Sequence, residues 1–250
     1  MSHRRTYFSK NSGNLIFFCD CNNNTIDQIS NIDLTTIFTD SKYGPTFVVD
    51  PTDNSKYCIA GNNSKINPII IGNYSLTGTI SDKFMVAQSN QTDNSIYLVR
   101  PDASYIVEFD WYRASSWSSG GIVFDPSGSG YRSWSSTQIT QAPGIFYYGE
   151  CCFGDRNNTS LLIDASITMS HWNNVKYCIS QKDSTSFGVR LVISNIDNSN
   201  VVFDDEITYP LPFVMGSLRR DFIPFLNDVR TYVGYNSTDK IKNVKVYEIV

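Results

Sequence analysis

Clustered positive charge is what this 250-residue sequence most clearly lacks: 20 Lys and Arg stand against 24 Asp and Glu, for a formal net charge of -4. Proteins that grip polyanions gather Lys and Arg into patches that release counterions on binding. The basic pairs here, Arg4-Arg5 and Arg219-Arg220, read as ordinary surface charge, so no nucleic-acid partner is expected. Long apolar runs are missing too. No stretch approaches the roughly 20 apolar residues of a membrane-spanning helix, and Leu15-Ile16-Phe17-Phe18 is too short for a signal-peptide core. The expectation is a chain made in a cytoplasm, with no export signal and no membrane partner. Asn-X-Ser/Thr triplets, as at Asn62 and Asn157, are then by-products of Asn-rich loops.

Histidine is scarce. Only His3 and His171 are present, so a Ser-His-Asp or Cys-His nucleophile would have to rest on His171, which reads better as a loop-edge or core-edge residue before Trp172. There is no phosphate cradle, because Ser127-Gly128-Ser129-Gly130 lacks the Lys that follows in a P-loop. The six cysteines, at 19, 21, 58, 151, 152 and 178, form an adjacent pair, a C-x-C and two singletons. None of this gives the paired C-x-x-C knuckles of a structural zinc site. Reduced thiols are the expectation, with an oxidised or metal-bound pair as the alternative.

What the sequence does have is enough apolar material to fold: 41% hydrophobic residues against 18% charged. From about Phe47 onward it is a succession of short runs rich in β-branched and aromatic residues, separated by Asn, Asp, Ser and Gly. Strands are expected at 69–71, 83–87, 96–99, 104–112, 121–124, 145–148, 161–163, 174–180, 187–194, 201–203, 231–234 and 242–249. About a dozen strands imply two stacked antiparallel sheets. Period-two alternation puts Tyr105, Val107, Phe109 and Trp111 on a core face and Ile106, Glu108, Asp110 and Tyr112 on the other. Val175, Tyr177 and Ile179 share one side of their strand, as do Phe187, Val189, Leu191 and Ile193, with a hairpin tip at 181–184 between them. Residues 1–45 differ. Leu15 to Phe18 suit a short strand, and Thr25 followed by Ile26, Ile29, Ile32, Leu34, Ile37 and Phe38 loosely fits a capped helix. This segment is read as a cap on its own domain, or else as an arm docking on a neighbouring subunit, and 46–250 as the sandwich.

The succession SYIVEFDWY, HWNNVKYCIS, FGVRLVISNID and RTYVGYNSTDKIKNVKVYEIV resembles the concanavalin A-like, or laminin-G-like, lectin and glucanase sandwich. Ile241, Asn243, Val244, Val246 and Tyr247 match its closing strand, and His171-Trp172 with Val175 its Trp-led strand. The resemblance spans roughly 80–250 and rests on core positions, so it implies fold more than function. In the laminarinase-like branch a strand reads Glu-X-Asp-X-Glu, its two glutamates serving as nucleophile and acid/base. This sequence offers Glu108 and Asp110 and then Tyr112 where the second glutamate belongs, so the expectation is a protein that is not an enzyme. Members of the family often hold calcium through Asp and Asn oxygens. Asp125, Asp155, Asn157, Asp197 and Asp239 sit in oxygen-rich stretches, but none has the spacing of a dedicated site, and neither metal nor cofactor is expected.

One region invites a binding reading. Trp117, Tyr131 and Trp134 stand among Ser and Gly too small to bury a large ring, and Arg113 and Arg132 add forked donors. These residues, with Glu108 and Asp110, are the candidate glycan- or partner-binding set; the alternative is that Trp117 and Trp134 close the ends of the core. Abundant Asn, Ser, Tyr and Ile with few charges is a profile associated with phage virion proteins. The leading expectation is a virion component, a decoration, head or tail surface protein, that assembles with itself or other virion proteins and touches cell-surface glycan. A free lectin module is second and a degenerate glycosidase third.

Overall fold

The computed structural model describes residues 13–29, 31–33, 46–60, 104–113, 122–124, 144–147, 151–155, 158–162, 167, 169–182, 186–210 and 239–249. Among these residues there are fourteen strands and no helix. In chain order they are β1 (Asn14–Cys19), β2 (Ile26–Asp27), β3 (Ile32–Asp33), β4 (Thr46–Asp50), β5 (Asp53–Ala60), β6 (Ser104–Tyr112) and β7 (Ile122–Phe124). After them come β8 (Gly144–Tyr147), β9 (Cys151–Asp155), β10 (Asn158–Leu162), β11 (Trp172–Gln181), β12 (Ser186–Asn195), β13 (Val201–Pro210) and β14 (Lys240–Ile249). The strands expected at 69–71, 83–87, 96–99 and 231–234 lie outside the described residues.

Eight strands form one antiparallel sheet in the order β13-β12-β11-β6-β14-β5-β4, with β1 also paired to β14; β10-β9-β8-β7 form a second sheet. The alternation of β6 decides how they stack. Val107, Phe109 and Trp111 are wholly buried, as are Val175 and Tyr177 on β11 and Val189, Leu191 and Ile193 on β12. Each such side chain removed from water contributes about 1.5–3 kcal/mol. Phe153 of the second sheet meets this face edge-on, with ring centroids 6.4 Å from Tyr177 and 6.1 Å from Phe203. The molecule is thus an all-β antiparallel sandwich. Trp111 brings one polar atom into the core, and its indole N–H donates to buried Asp239 at 3.0 Å, because an unpaired N–H there would cost about 1–3 kcal/mol.

Where it is described, the stretch read as a helix after Thr25 is instead a two-stranded ribbon, Ile26 facing Asp33 and Asp27 facing Ile32; Leu34, Ile37 and Phe38 lie outside the described residues. Asp27 is the reason. Its carboxylate accepts from the backbone N–H of Phe18 and of Ile29, both at 3.0 Å, and Asn31 adopts φ 60°, which Asn tolerates better than most residues and a helix forbids. β1 lies against β14 from Asn14 opposite Glu248 to Cys19 opposite Val244. β5 touches the same side of β14 only at Lys240 and Ile241. Beyond that point β1 takes the place of β5 beside β14, and the tip of the β4–β5 hairpin comes against Trp172 and Lys242.

Candidate functional site

The second face of the large sheet is polar, and the register says which residues share it. Tyr112, Asp110 and Glu108 of β6 stand opposite Trp172, Asn174 and Lys176 of β11, and opposite Lys240, Lys242 and Lys245 of β14. Arg190 of β12 stands opposite Cys178 on one side and Glu206 of β13 on the other. A simple count of two would put Val244 beside Glu108. A β-bulge between Lys242 and Lys245 prevents this, with Asn243 at φ 53°, and so turns the Asn243 amide onto the polar face.

Four side chains then close into one network. The Asn174 amide donates to Glu108 Oε1 at 3.0 Å and to Asp110 Oδ1 at 3.1 Å, and the Asn243 amide donates to Asp110 Oδ2 at 2.7 Å. Burial pushes the Asp110 carboxyl above its ordinary value, although the two amides and then Lys242 and Lys245 pull the other way. Glu108 is buried, 9% exposed. Its Oε2 accepts no hydrogen bond, and the Lys176 ammonium stands 3.8 Å from it. Burial, then the nearby Glu108 charge, raises the Tyr247 phenol.

Beside this network the β4–β5 hairpin clasps the face. Asp50 is fully buried and accepts from Thr52 N–H and Thr52 Oγ1 at 2.8 Å, from the Trp172 indole at 3.1 Å and from Lys242 Nζ at 2.5 Å. The indole N–H also reaches Thr52 Oγ1 at 3.1 Å. Lys242 lies 4.0 Å from the centre of the Trp172 ring, and Tyr112 meets that ring edge-on at 5.4 Å. Burial alone would raise the Asp50 carboxyl, but the donors led by Lys242 outweigh it and hold it below the ordinary Asp range.

No protein-family model matches the chain, and no curated protein matches it. Solved structures similar to it include domain 4 of a GH43 extracellular arabinanase from Geobacillus stearothermophilus in complex with arabinotriose, at 10% identity over 94% of this chain and 93% of that one, TM-score 0.48. A PL-14 alginate lyase from Aplysia kurodai is similar at 8% identity over 80% and 86%, TM-score 0.41. Arcelin-5, a lectin-like defence protein from Phaseolus vulgaris, is similar at 9% identity over 82% and 91%, TM-score 0.41.

Of the residues expected to form a binding set, the structure brings together Glu108 and Asp110. They are not a solvated pair, since Glu108 is buried and both are tied to amides. Arg113 does not join them: it is 1% exposed and continues the core parity of Val107, Phe109 and Trp111, so it is not a surface fork. Trp117, Tyr131, Arg132 and Trp134 lie outside the described residues. His171 is at an edge, its Nδ1 3.0 Å from Asp197 Oδ2 on an exposed turn. Asn174, Lys176, Asp50 and Lys242 were not singled out from the sequence. The first two were findable, because they fall on the polar parity of a strand whose core residues were known.

Proposed function

We propose that this chain is a non-catalytic carbohydrate-binding sandwich that engages glycan on the polar face of its large sheet. The observation that carries the reading is the Glu108–Asn174–Asp110–Asn243 network. Sugar recognition uses planar amides and carboxylates held rigid by one another, so that acceptors and donors meet hydroxyls without first being ordered. A sheet face braced by packed strands supplies that rigidity. The Asn174 amide stands between the two carboxylates, where a glycosidase pair needs room for the scissile bond, and the next position on that face of β6 is Tyr112. Both features favour binding over hydrolysis.

The second reading, a glycosidase, draws on the raised Asp110 carboxyl, a property suited to a general acid. Release of reducing ends from an oligosaccharide panel, abolished by Glu108→Gln, would establish it in place of ours. For the binding reading, melting temperature is followed against a panel of oligosaccharides. A shift that disappears in Asn174→Ala, with the variant's own circular dichroism unchanged, is the expected result. No shift with any sugar defeats it. We place the domain on a phage virion, where glycan contact would serve attachment to the host. This part rests on the Asn- and Ser-rich, lightly charged composition. Native mass spectrometry should then find oligomers, and a strictly monomeric chain would remove the assembly role.

A further inference from the structure

A strand with a neighbour on one side only offers a row of N–H and C=O groups to any other extended chain, and proteins blunt such rows with charges, inward-turned ones included. Among the described residues β13 stands at the end of the large sheet, beside β12. It is 10 residues long and opens on Val201, Val202 and Phe203, of which Val201 is 59% exposed. A run of this length and composition is suited to taking up a further strand.

Three acids interrupt it, and they do not act alike. Asp204 and Glu206 lie on the polar face, where Arg190 and Lys182 answer them. Asp205 has the opposite parity. It stands across from Leu191, which is wholly buried, between Phe203 opposite Ile193 and Ile207 opposite Val189. Phe203 meets Phe153 of the second sheet on this side, so the position calls for an apolar side chain. Asp205 is instead exposed, and its Oδ1 accepts the backbone N–H of Glu206 at 2.7 Å. By the alternation of an antiparallel ladder, the N–H of Thr208 faces the same way as that of Glu206, away from β12.

We propose that Asp205 keeps the outer edge of β13 closed to a second copy of this chain. An added strand would strip water from its carboxylate and would find the Glu206 N–H already taken. Two β13 strands overlapping antiparallel along most of their length would also bring 204–206 beside the same run of the other copy, and like charges opposed across strands repel. Any assembly of the parent chain is then made through other surfaces. Sedimentation of the intact chain over a concentration series tests this, with circular dichroism melts alongside. Asp205→Thr, a strand-former without charge, should self-associate at a concentration lower than the parent by about tenfold or more, since a twofold contact counts the change twice. Asp205→Glu should sediment like the parent. Thr208→Pro removes an outward donor of an edge strand, and adding it to Asp205→Thr should restore the parent's behaviour. Asp205→Thr that melts and sediments like the parent overturns the proposal. So does Asp205→Glu associating as strongly as the threonine variant, or association that survives Thr208→Pro.

Discussion

Replacing Asp50 by Asn keeps the shape of the side chain but removes the charge on which the β4–β5 clasp converges. In the parent, one fully buried carboxylate accepts two bonds from Thr52, one from the Trp172 indole and one from Lys242. The lysine side chain is itself only 18% exposed, so solvent screens the pair little. Removing one member of a buried pair leaves the other charged and unmet, which costs about 3–5 kcal/mol. We take about 3, because the Trp172 ring still faces the ammonium. For a chain of this size that corresponds to a melting point lower by roughly 10 °C. Thermal and urea unfolding followed by circular dichroism measure it, and a cycle with Lys242→Met should return a coupling of at least about 1 kcal/mol. The sign with pH follows from the direction of the shift. A folded-state carboxyl held below its unfolded value adds stability above the unfolded pKa of about 3.9, and that stability fades as pH falls through the folded value. The difference between parent and Asp50→Asn should therefore be full at neutral pH and close in strong acid. A loss under about 1 kcal/mol at pH 7, or a difference that persists unchanged in acid, refutes the clasp.

Asp110 runs the other way: its raised carboxyl means that its contribution is present below the unfolded pKa and is lost as pH rises through the folded one, so Asp110→Asn should flatten that trend in a pH series of urea melts. Asn243→Gly should retain the bulge, since glycine accepts φ 53°, whereas Asn243→Ala should lose about 1 kcal/mol more in the same assay through strain at that angle. The Cys58 thiol is pushed up to about 11 and Cys178 to about 12, burial being the main cause in each. Peptide mapping after iodoacetamide at pH 8 should find both unmodified in the native protein and both labelled in urea. A methyl group on Gly188 would collide with Lys182 Cε and lie 2.7 Å from Glu206 Oε1, so Gly188→Ala should displace that lysine and, the pair being part-exposed, reduce stability by no more than about 1 kcal/mol.

Much of the large sheet was legible because β6, β11 and β12 alternate cleanly, and alternation is a direct record of a face turned inward. The reading thinned where local chemistry interrupts the period. β13 was expected at 201–203 only, where the apolar run stops before Asp204, Asp205 and Glu206; across the strand Arg190 and Lys182 answer two of those carboxylates. β9 was missed because Cys151-Cys152 drew attention to redox chemistry and not to pairing. β4 and β5 were not among the expected strands, for Asp53 to Lys56 is polar on both faces. The site was half readable. Glu108 and Asp110 follow from parity, but Asn243 reaches them through a bulge, and Asp50 through a hairpin whose path no local pattern encodes.

β14 has β6 along one side and shares the other between β5 and β1. It is the last made of the described strands, yet it stands near the middle of the sheet. Until it arrives, β1 and β6 have no common neighbour, and the pairings it completes join residues more than 200 positions apart at Asn14 and Glu248. Such long closures are slow to form. A nascent chain would therefore carry open strand edges for most of its synthesis, a period in which self-association competes with folding.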